Sequence, residues 1–197
     1  MKPHRQPAMK TLLPLALLLS LLPTPQLTAA DGSPAAALAA ETEAHCATTA
    51  KAEPTAPDTV VAKVKEACAV LEKEGPAAFP KFSGRTSPFI FAGTYIWVHT
   101  LAESEMLLHP IKYKMVGNKL IGLKDSKGKR FFVVMNDLVR EKGEGWVDYY
   151  WPKPNSTETV RKISYVRKCT MANGVTVVVG AGLYSYAEAD VAKLDIH

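Results

Sequence analysis

The chain has 197 residues, a formal net charge of +5 at neutral pH and a hydrophobic content of 47%. This length fits one globular domain with a real core and excludes two domains of ordinary size. The spacings of its three cysteines match neither a zinc motif nor a haem attachment motif, which leaves them structural or incidental.

The N-terminus has the pattern of a secretory signal. Three basic residues come first, Lys2, Arg5 and Lys10. The apolar run that follows, from Leu12 to Leu22, is 11 residues long, shorter than the roughly 20 that a spanning helix needs. We predict a signal peptide over residues 1–30, cleaved before Asp31, and a soluble periplasmic or secreted protein. An uncleaved signal that anchors the domain to the membrane is the alternative.

Export changes what the charge implies. Residues 1–30 carry three positive charges and no negative ones, so the formal charge of the mature chain falls to +2. Residues 112–130 still hold seven Lys and Arg residues against one acid, Asp125, and this segment could attract anions. Nucleic acid is not predicted as a partner, because an exported chain without an aromatic and basic motif does not suit it.

The start of the mature chain holds two segments of different character. Residues 31–57 are rich in Ala and Pro, and Ser33-Pro34 suits a helix start, so this segment is either a weak helix over residues 35–50 or a disordered tether. After Asp58, apolar residues at three- and four-residue spacing predict an amphipathic helix that stops at Gly75-Pro76. The apolar residues are Val60, Val64, Ala67, Cys68 and Leu71.

The remaining chain predicts a sheet and one further helix. Residues 131–142 fit a helix, and Gly93 marks a bulge or a close approach in the first strand. The connections are local, with a turn at Asn173-Gly174, so the strands are expected to form an antiparallel sheet in an α+β domain. The predicted strands are Phe89–Thr100, Met106–His109, Lys119–Leu123, Trp146–Trp151, Lys162–Cys169 and Val175–Leu183.

Short motifs between residues 60 and 184 occur in an order and spacing that resemble a known family. They are Tyr95-Ile96-Trp97-Val98, Leu108-His109-Pro110, Gly117-Asn118, Asp125 with Gly128-Lys129, Gly145-Trp146-Val147 with Tyr149 and Trp151-Pro152, Pro154, Lys162 with Tyr165-Val166, and Gly180-Ala181-Gly182-Leu183-Tyr184. The segment resembles the single Cache domain, a PAS-like extracytoplasmic sensor domain of bacterial chemoreceptors and sensor kinases. The resemblance implies a five-stranded antiparallel sheet with a long N-terminal helix and flanking helices over residues 58–190. It also implies a pocket on one sheet face for small organic ligands such as short carboxylates.

Two features depart from the family pattern. Residues 99–105 replace the family's usual Asp and Gly turn, so the pocket rim is expected to differ. Receptors of this family continue into a membrane helix and an output domain, whereas this sequence stops at His197. We therefore expect a stand-alone sensory domain that reports to a separate membrane receptor or kinase in signal transduction or chemotaxis. The alternative is a ligand-free interaction protein that uses the fold for docking, or for homodimerisation through its N-terminal helix.

Capture of a small carboxylate requires a cation or hydrogen-bond donors, plus aromatic walls that exclude water. Seven residues of these types are candidate ligand contacts: Tyr95, Trp97, His109, Trp146, Tyr149, Lys162 and Tyr165. Lys162 and Tyr165 are three apart, so they are expected on opposite faces of their strand unless a bulge intervenes. Each ring could instead be an ordinary part of the core.

Alternation also assigns the two faces of the first strand. Tyr95, Trp97 and His99 are expected on the ligand face, and Ile96 and Val98 on the opposite face in the core. On this basis Trp97→Ala and Tyr149→Phe should weaken binding with little loss of fold, whereas Val98→Asp should unfold the domain.

No enzyme or cofactor is predicted. Residues 122–129 have one residue too many for a phosphate loop, and neither a nucleophile elbow nor a zinc-protease helix motif is present. A metal site built from His99, Glu103, Glu105 and His109 is a weaker alternative, because their spacing matches no recognised ligand motif. An oxidising compartment would permit a Cys68 to Cys169 bridge, with Cys46 left unpaired.

Overall fold

The computed structural model describes Met1 and residues 32–50 and 54–197, so the signal peptide predicted over residues 1–30 lies almost wholly outside the described residues. The helices are α1 (Pro34–Thr49), α2 (Pro57–Glu74), α3 (Phe131–Glu141) and α4 (Glu188–Val191), with short 3-10 helices at Gly75–Phe82 and Tyr113–Met115. The strands are β1 (Ile90–Phe91), β2 (Thr94–Tyr95), β3 (Trp97–Thr100), β4 (Met106–Leu108), β5 (Glu144–Pro152), β6 (Thr159–Thr170) and β7 (Thr176–Leu183). Within residues 32–50 and 54–197, no helix has the length and apolar character that crossing a membrane requires.

The main sheet has five strands in the order β4-β3-β7-β6-β5, and every neighbouring pair is antiparallel. The longest pairings join β5 to β6 and β6 to β7, through tight local connections. This arrangement confirms the predicted α+β class and the five-stranded antiparallel sheet.

Helix α2 covers one face of the sheet. Its apolar stripe is fully buried against β6 and β7, as the spacing predicted, and each large apolar side chain in it contributes about 1.5–3 kcal/mol of burial free energy. The helix ends at Gly75, whose φ of 60° lies in the region that glycine adopts without strain.

Helix α3 covers the opposite face. It buries four of its own side chains against strands β5 to β7: Phe131, Phe132, Met135 and Leu138. A Cβ atom on Gly145 would lie only 2.9 Å from the Leu138 side chain, so glycine there lets the helix approach the sheet closely. The sheet therefore has two separate apolar faces, and the helix predicted over residues 131–142 is confirmed.

Helix α1 forms where the sequence allowed either a helix or a tether. The Ser33 hydroxyl accepts a hydrogen bond from the Ala36 amide, and Pro34 occupies the first turn, as that start signal predicted. The side chains that this helix buries are small: Ala36, Ala39, Thr42 and Cys46. The helix lies against β1, β2 and the 3-10 helix at residues 113–115.

Two strand predictions are wrong in detail. Residues 89–100 do not form one strand, because Ala92 (φ 47°) and Gly93 (φ 74°) make a tight turn between β1 and β2 before β3 begins. Residues 119–123 form turns, and only an isolated bridge from Glu105 to Lys119 is present there. Met106 of β4 already exchanges backbone hydrogen bonds with Gly117 and Asn118, directly before this segment. Gly93 does make the predicted close approach, since a Cβ there would lie 3.1 Å from the Ala50 Cβ.

Candidate ligand-binding site

A small cavity lined mostly by buried side chains lies on the α3 side of the sheet. Its volume is about 10 Å³, close to the minimum that one water molecule needs. We call it the inner cavity. It is lined by Tyr95, Trp97, Met106, His109, Met115, Phe131, Phe132, Tyr149, Trp151 and Lys162.

Lys162 places a positive charge inside an aromatic enclosure. Its side chain is 1% exposed. Its ammonium nitrogen lies 4.5 Å from the ring centre of Tyr95, 4.8 Å from that of Trp97 and 4.5 Å from that of Tyr184. Burial lowers the pKa of Lys162 from 10.5 to about 7, since desolvation disfavours the charged form. Among the described residues no acidic side chain pairs with it, and the three ring faces supply only part of the lost solvation.

Two glycines make room for this enclosure. On β7, a Cβ atom at Gly182 would overlap the side chains of Lys162 and Ser164, and one at Gly180 would overlap the Trp97 ring. The two-residue spacing puts both glycines on the same face of the strand. The Gly-Ala-Gly run that contributed to the family resemblance therefore has a steric role in the site.

His109 faces the inner cavity as a neutral hydrogen-bond donor. Its Nδ1 accepts from the backbone amides of Ile111 (3.4 Å) and Lys112 (3.0 Å), which leaves the proton on Nε2. Burial first, and then the nearby charge of Lys162, holds the pKa of His109 well below 6.5. The imidazole ring packs 4.9 Å from the Tyr95 ring, so its orientation is set from both sides.

Two further donors border the cavity. The Tyr149 hydroxyl accepts from Ser164 at 3.2 Å, so its own proton is available to another acceptor. The Trp97 indole nitrogen is buried without a hydrogen-bond partner among the described residues. Burial raises the pKa of Tyr95 and of Tyr149, which keeps both phenols neutral. One cation, several neutral donors and no acidic lining residue suit an anionic ligand that accepts hydrogen bonds.

The structure brings five of the seven candidate residues together and separates the other two. Trp146 and Tyr165 lie on the opposite face, in the core beneath α2, with their ring centres 5.3 Å apart. The grouping of Trp146 with Tyr149 is therefore wrong, whereas Tyr165 lies on the face opposite Lys162, as alternation predicted. The antiparallel register pairs Trp146 with Tyr165 and Tyr149 with Lys162, and these two pairs point to opposite faces.

Several residues around the site were not predicted from the sequence. Trp151 lies two residues after Tyr149, so the alternation rule alone could have placed it on the ligand face. Tyr184, directly after β7, likewise continues the two-residue alternation of Gly180 and Gly182. Phe131 and Phe132 come from α3, and no sequence pattern shows that this helix covers the aromatic strands.

The residues of the alternative metal site are dispersed. His99 Nε2 lies 3.0 Å from the Asn136 amide oxygen, and burial lowers the pKa of His99 to about 4. Glu103 instead pairs with Lys119 at the surface, at 2.9 Å. Within residues 32–50 and 54–197, no group of three or more His, Cys, Asp or Glu side chains is placed to hold a metal ion.

The chain is similar to sensor domains of bacterial chemotaxis proteins. A family model described as the Cache domain, of the dCache_2 type, matches residues 87–195. Methyl-accepting chemotaxis protein McpP of Pseudomonas putida is 32% identical over 90 residues, which are 46% of this chain and 16% of that protein. The chain thus corresponds to less than a fifth of that relative's length.

Two solved structures of sensor domains are also similar to this chain. One, described as the periplasmic sensor domain of a chemotaxis protein, is 35% identical with a TM-score of 0.52, over 64% of this chain and 93% of that one. The other, described as the structural basis for carboxylic acid recognition by a Cache chemosensory domain, is 26% identical with a TM-score of 0.51, over 64% of this chain and 91% of that one.

Proposed function

Since the chain belongs to the Cache domain family of non-enzymatic sensor domains, we propose that its inner cavity binds a short organic carboxylate. Lys162 would face the carboxylate as the cation, with hydrogen bonds donated by His109, Tyr149 and Trp97. Tyr95 would form one aromatic wall. One solved relative is described as recognising carboxylic acids, which supports the same ligand class.

The observation that carries this proposal is the unpaired charge of Lys162. A buried ammonium without an anionic partner costs several kcal/mol, and the depressed pKa of Lys162 reflects that cost. A carboxylate beside it would offset the cost, while the aromatic rings exclude water and strengthen the attraction. An amine or a neutral apolar ligand would not offset this cost.

The size of the inner cavity limits the ligand. With about 10 Å³ of free space, even a two-carbon acid requires the lining side chains to move outward. We therefore expect acids of about two to four carbons to bind best and bulky dicarboxylates to bind poorly.

We further propose that the domain works in the periplasm and passes its signal to a separate membrane receptor or kinase in chemotaxis or signal transduction. The similarity to a periplasmic sensor domain of a chemotaxis protein supports the compartment. The signal pattern of residues 1–30 supports export.

Thermal-shift and calorimetric titrations with acetate, propionate and ethylamine test the ligand class. At 100 times its Kd a ligand stabilises by about 2.7 kcal/mol, which corresponds to roughly 5–10 °C in Tm for a domain of this size. Acetate or propionate should give this shift and ethylamine should not. Lys162→Met should abolish it, whereas Lys168→Met, on an exposed position of the same strand, should retain it. A shift with ethylamine alone, or none from either acid, would refute the proposal.

The small volume of the inner cavity also favours the second candidate function, a ligand-free interaction domain that docks or dimerises. Light scattering across a concentration series measures the oligomeric state directly. A concentration-dependent dimer that the acids neither stabilise nor dissociate would favour this function over sensing.

A further inference from the structure

A second, larger cavity lies beside the inner one. Its volume is about 230 Å³, against about 10 Å³ for the inner cavity. We call it the outer cavity. Its walls include Cys46, Ala47 and Ala50 of α1, Ala92 and Gly93 of the β1–β2 turn, and Tyr184 after β7.

Tyr184 and Cys46 separate the two cavities. Tyr184 lines the outer cavity, and it also contacts two residues of the inner one: its ring lies 4.5 Å from the Lys162 ammonium, and its hydroxyl lies 3.2 Å from that of Tyr95. Cys46 is fully buried, and its thiol donates to the Thr94 carbonyl oxygen at 3.5 Å. The positive charge of Lys162 is close enough to oppose the rise in the Cys46 pKa that burial causes. Tyr184 thus connects the outer cavity with the Lys162 enclosure, and Cys46 lies within reach of the Lys162 charge.

Helix α1 is the wall most easily moved. It buries Ala, Thr and Cys side chains, whereas α2 buries Val and Leu, so α1 gains much less from apolar burial. Four further hydrogen bonds also hold it. The hydroxyls of Thr42 and Thr49 accept from the backbone amides of Gly84 (2.8 Å) and Gly93 (3.1 Å). Asn155 donates from its backbone amide to the Glu43 carboxylate at 2.9 Å and from its side-chain amide to the Glu43 carbonyl oxygen at 3.2 Å. Elements with few apolar contacts are those that open locally.

We propose that the outer cavity is the entrance to the ligand site and that α1 is its movable wall. A ligand passes when α1 lifts and carries Cys46 away from Lys162 and Tyr184. The residues around the inner cavity then rearrange to admit it. The role as an entrance depends on the proposed carboxylate function, but the opening of α1 does not, and the two are tested separately.

Cys46 itself reports the opening. Iodoacetamide labelling of the full chain, in a phosphine reductant and followed by peptide mass spectrometry, compares Cys46 with the equally buried Cys68 and Cys169 in the same molecule. Burial raises the Cys46 pKa to about 12, so the thiol reacts only when it is exposed. We expect Cys46 to react at least tenfold faster than the other two, at a rate insensitive to low urea. Equal labelling of all three at the rate of global unfolding would overturn the proposal.

Variants in α1 test its attachment. Glu43→Ala removes the hydrogen bond from the Asn155 backbone amide, leaves the one from the Asn155 side chain to the residue 43 carbonyl oxygen, and should raise the Cys46 labelling rate several-fold. Thr48→Ala is the matched control, because the Thr48 hydroxyl donates within the helix, to the His45 carbonyl oxygen at 2.7 Å. An unchanged rate in Glu43→Ala, or an equal rise in both variants, would contradict a movable α1.

Acetate at saturating concentration tests the entrance. It should slow the labelling of Cys46, and Glu43→Ala should speed acetate association measured by stopped flow. If titration shows no acetate binding, the carboxylate function fails while the two labelling experiments still decide whether α1 opens. Suppose instead that acetate binds, but does not slow Cys46 labelling, and that Glu43→Ala does not change the acetate association rate. The entrance then lies elsewhere and this proposal fails.

Discussion

The ammonium nitrogen of Lys162 lies 4.5 Å from the centre of the Tyr95 ring, with no acidic side chain paired to it among the described residues. Tyr95 is in β2 of the two-stranded sheet and Lys162 is in β6 of the main sheet, so the contact joins two sheets through residues far apart in sequence. Burial of the unpaired Lys162 ammonium in this enclosure costs folding free energy. That cost makes the stability and the ligand affinity of the domain depend on pH.

The pKa of Lys162 falls from 10.5 in the unfolded chain to about 7 in the fold. Between these pH values the unfolded state binds more protons, so the free energy of unfolding should rise with pH, on the order of 1.4 kcal/mol per unit. Urea denaturation at pH 6, 7.5 and 9 measures it. Because other groups also titrate, the relevant quantity is the difference from Lys162→Met, which should lack this rise. The same dependence of unfolding free energy on pH in the wild type and in Lys162→Met would contradict this prediction.

The same proton controls carboxylate affinity. A carboxylate pairs with the protonated ammonium, so the affinity for acetate should be constant below about pH 7 and fall above it, by up to about tenfold per pH unit. Calorimetric titration between pH 6 and 9 checks this. Affinity that increases above pH 7 would mean that the neutral amine is the binding form.

Gly182→Ala should displace Lys162, because the new Cβ would overlap its side chain and that of Ser164. We expect a loss of about 1–3 kcal/mol in stability, typical of overpacking, together with loss of acetate binding. The control is Gly122→Ala, where a Cβ meets nothing within 4 Å. Denaturation curves and titrations of both variants give the comparison, and wild-type behaviour in Gly182→Ala would show that the enclosure is not tightly packed.

The periodic parts of the fold could be read from the sequence. The spacing of Val60, Val64 and Leu71 set the buried face of α2, and alternation set the two faces of β3 correctly. Local patterns of this kind depend on neighbours in sequence. The turn at Ala92-Gly93 was missed because the strand pattern continues on both sides of it.

The site was harder to predict than the fold. Alternation separated Lys162 from Tyr165, but it could not say which face of β5 faces α3, so Trp146 was placed with Tyr149. Which residues meet across a cavity depends on register between strands distant in sequence and on the packing of α1 and α3. A single sequence carries little information about either.

The burial of Trp97 and Val98 decides how substitutions in strand β3 should affect stability. Trp97 is 3% exposed, so Trp97→Ala should cost about 3–5 kcal/mol rather than leave the fold intact. Val98→Asp should still unfold the domain, since Val98 is buried on the α2 face and the new charge would have no partner. Circular dichroism and urea denaturation distinguish them. A folded Val98→Asp would mean that the α2 face is not the tighter core.

Tyr149→Phe isolates one donor without opening a cavity. The substitution removes only the hydrogen bond that the Ser164 hydroxyl donates to the Tyr149 hydroxyl, so the expected loss of stability is about 1 kcal/mol. If the Tyr149 hydroxyl donates to the carboxylate, acetate affinity should fall about tenfold. Phe79→Tyr, on the α2 side of the sheet, is the control for a hydroxyl change remote from the site. Unchanged affinity in Tyr149→Phe would remove Tyr149 from the ligand contacts.

Cys68 in α2 and Cys169 in β6 are placed to form a disulfide. Their sulfur atoms lie 2.7 Å apart in the core, at positions separated by 101 residues. Closing a loop of this length restricts the unfolded chain and should add about 4–5 kcal/mol, or roughly 8–20 °C in Tm. The bridge should form under oxidising conditions, leaving Cys46 as the free thiol. Non-reducing peptide mapping identifies the pair, and calorimetry with and without reductant measures the effect. Cys68→Ala should lose the reductant sensitivity and Cys46→Ala should keep it, whereas a bridge to Cys46 would contradict the assignment.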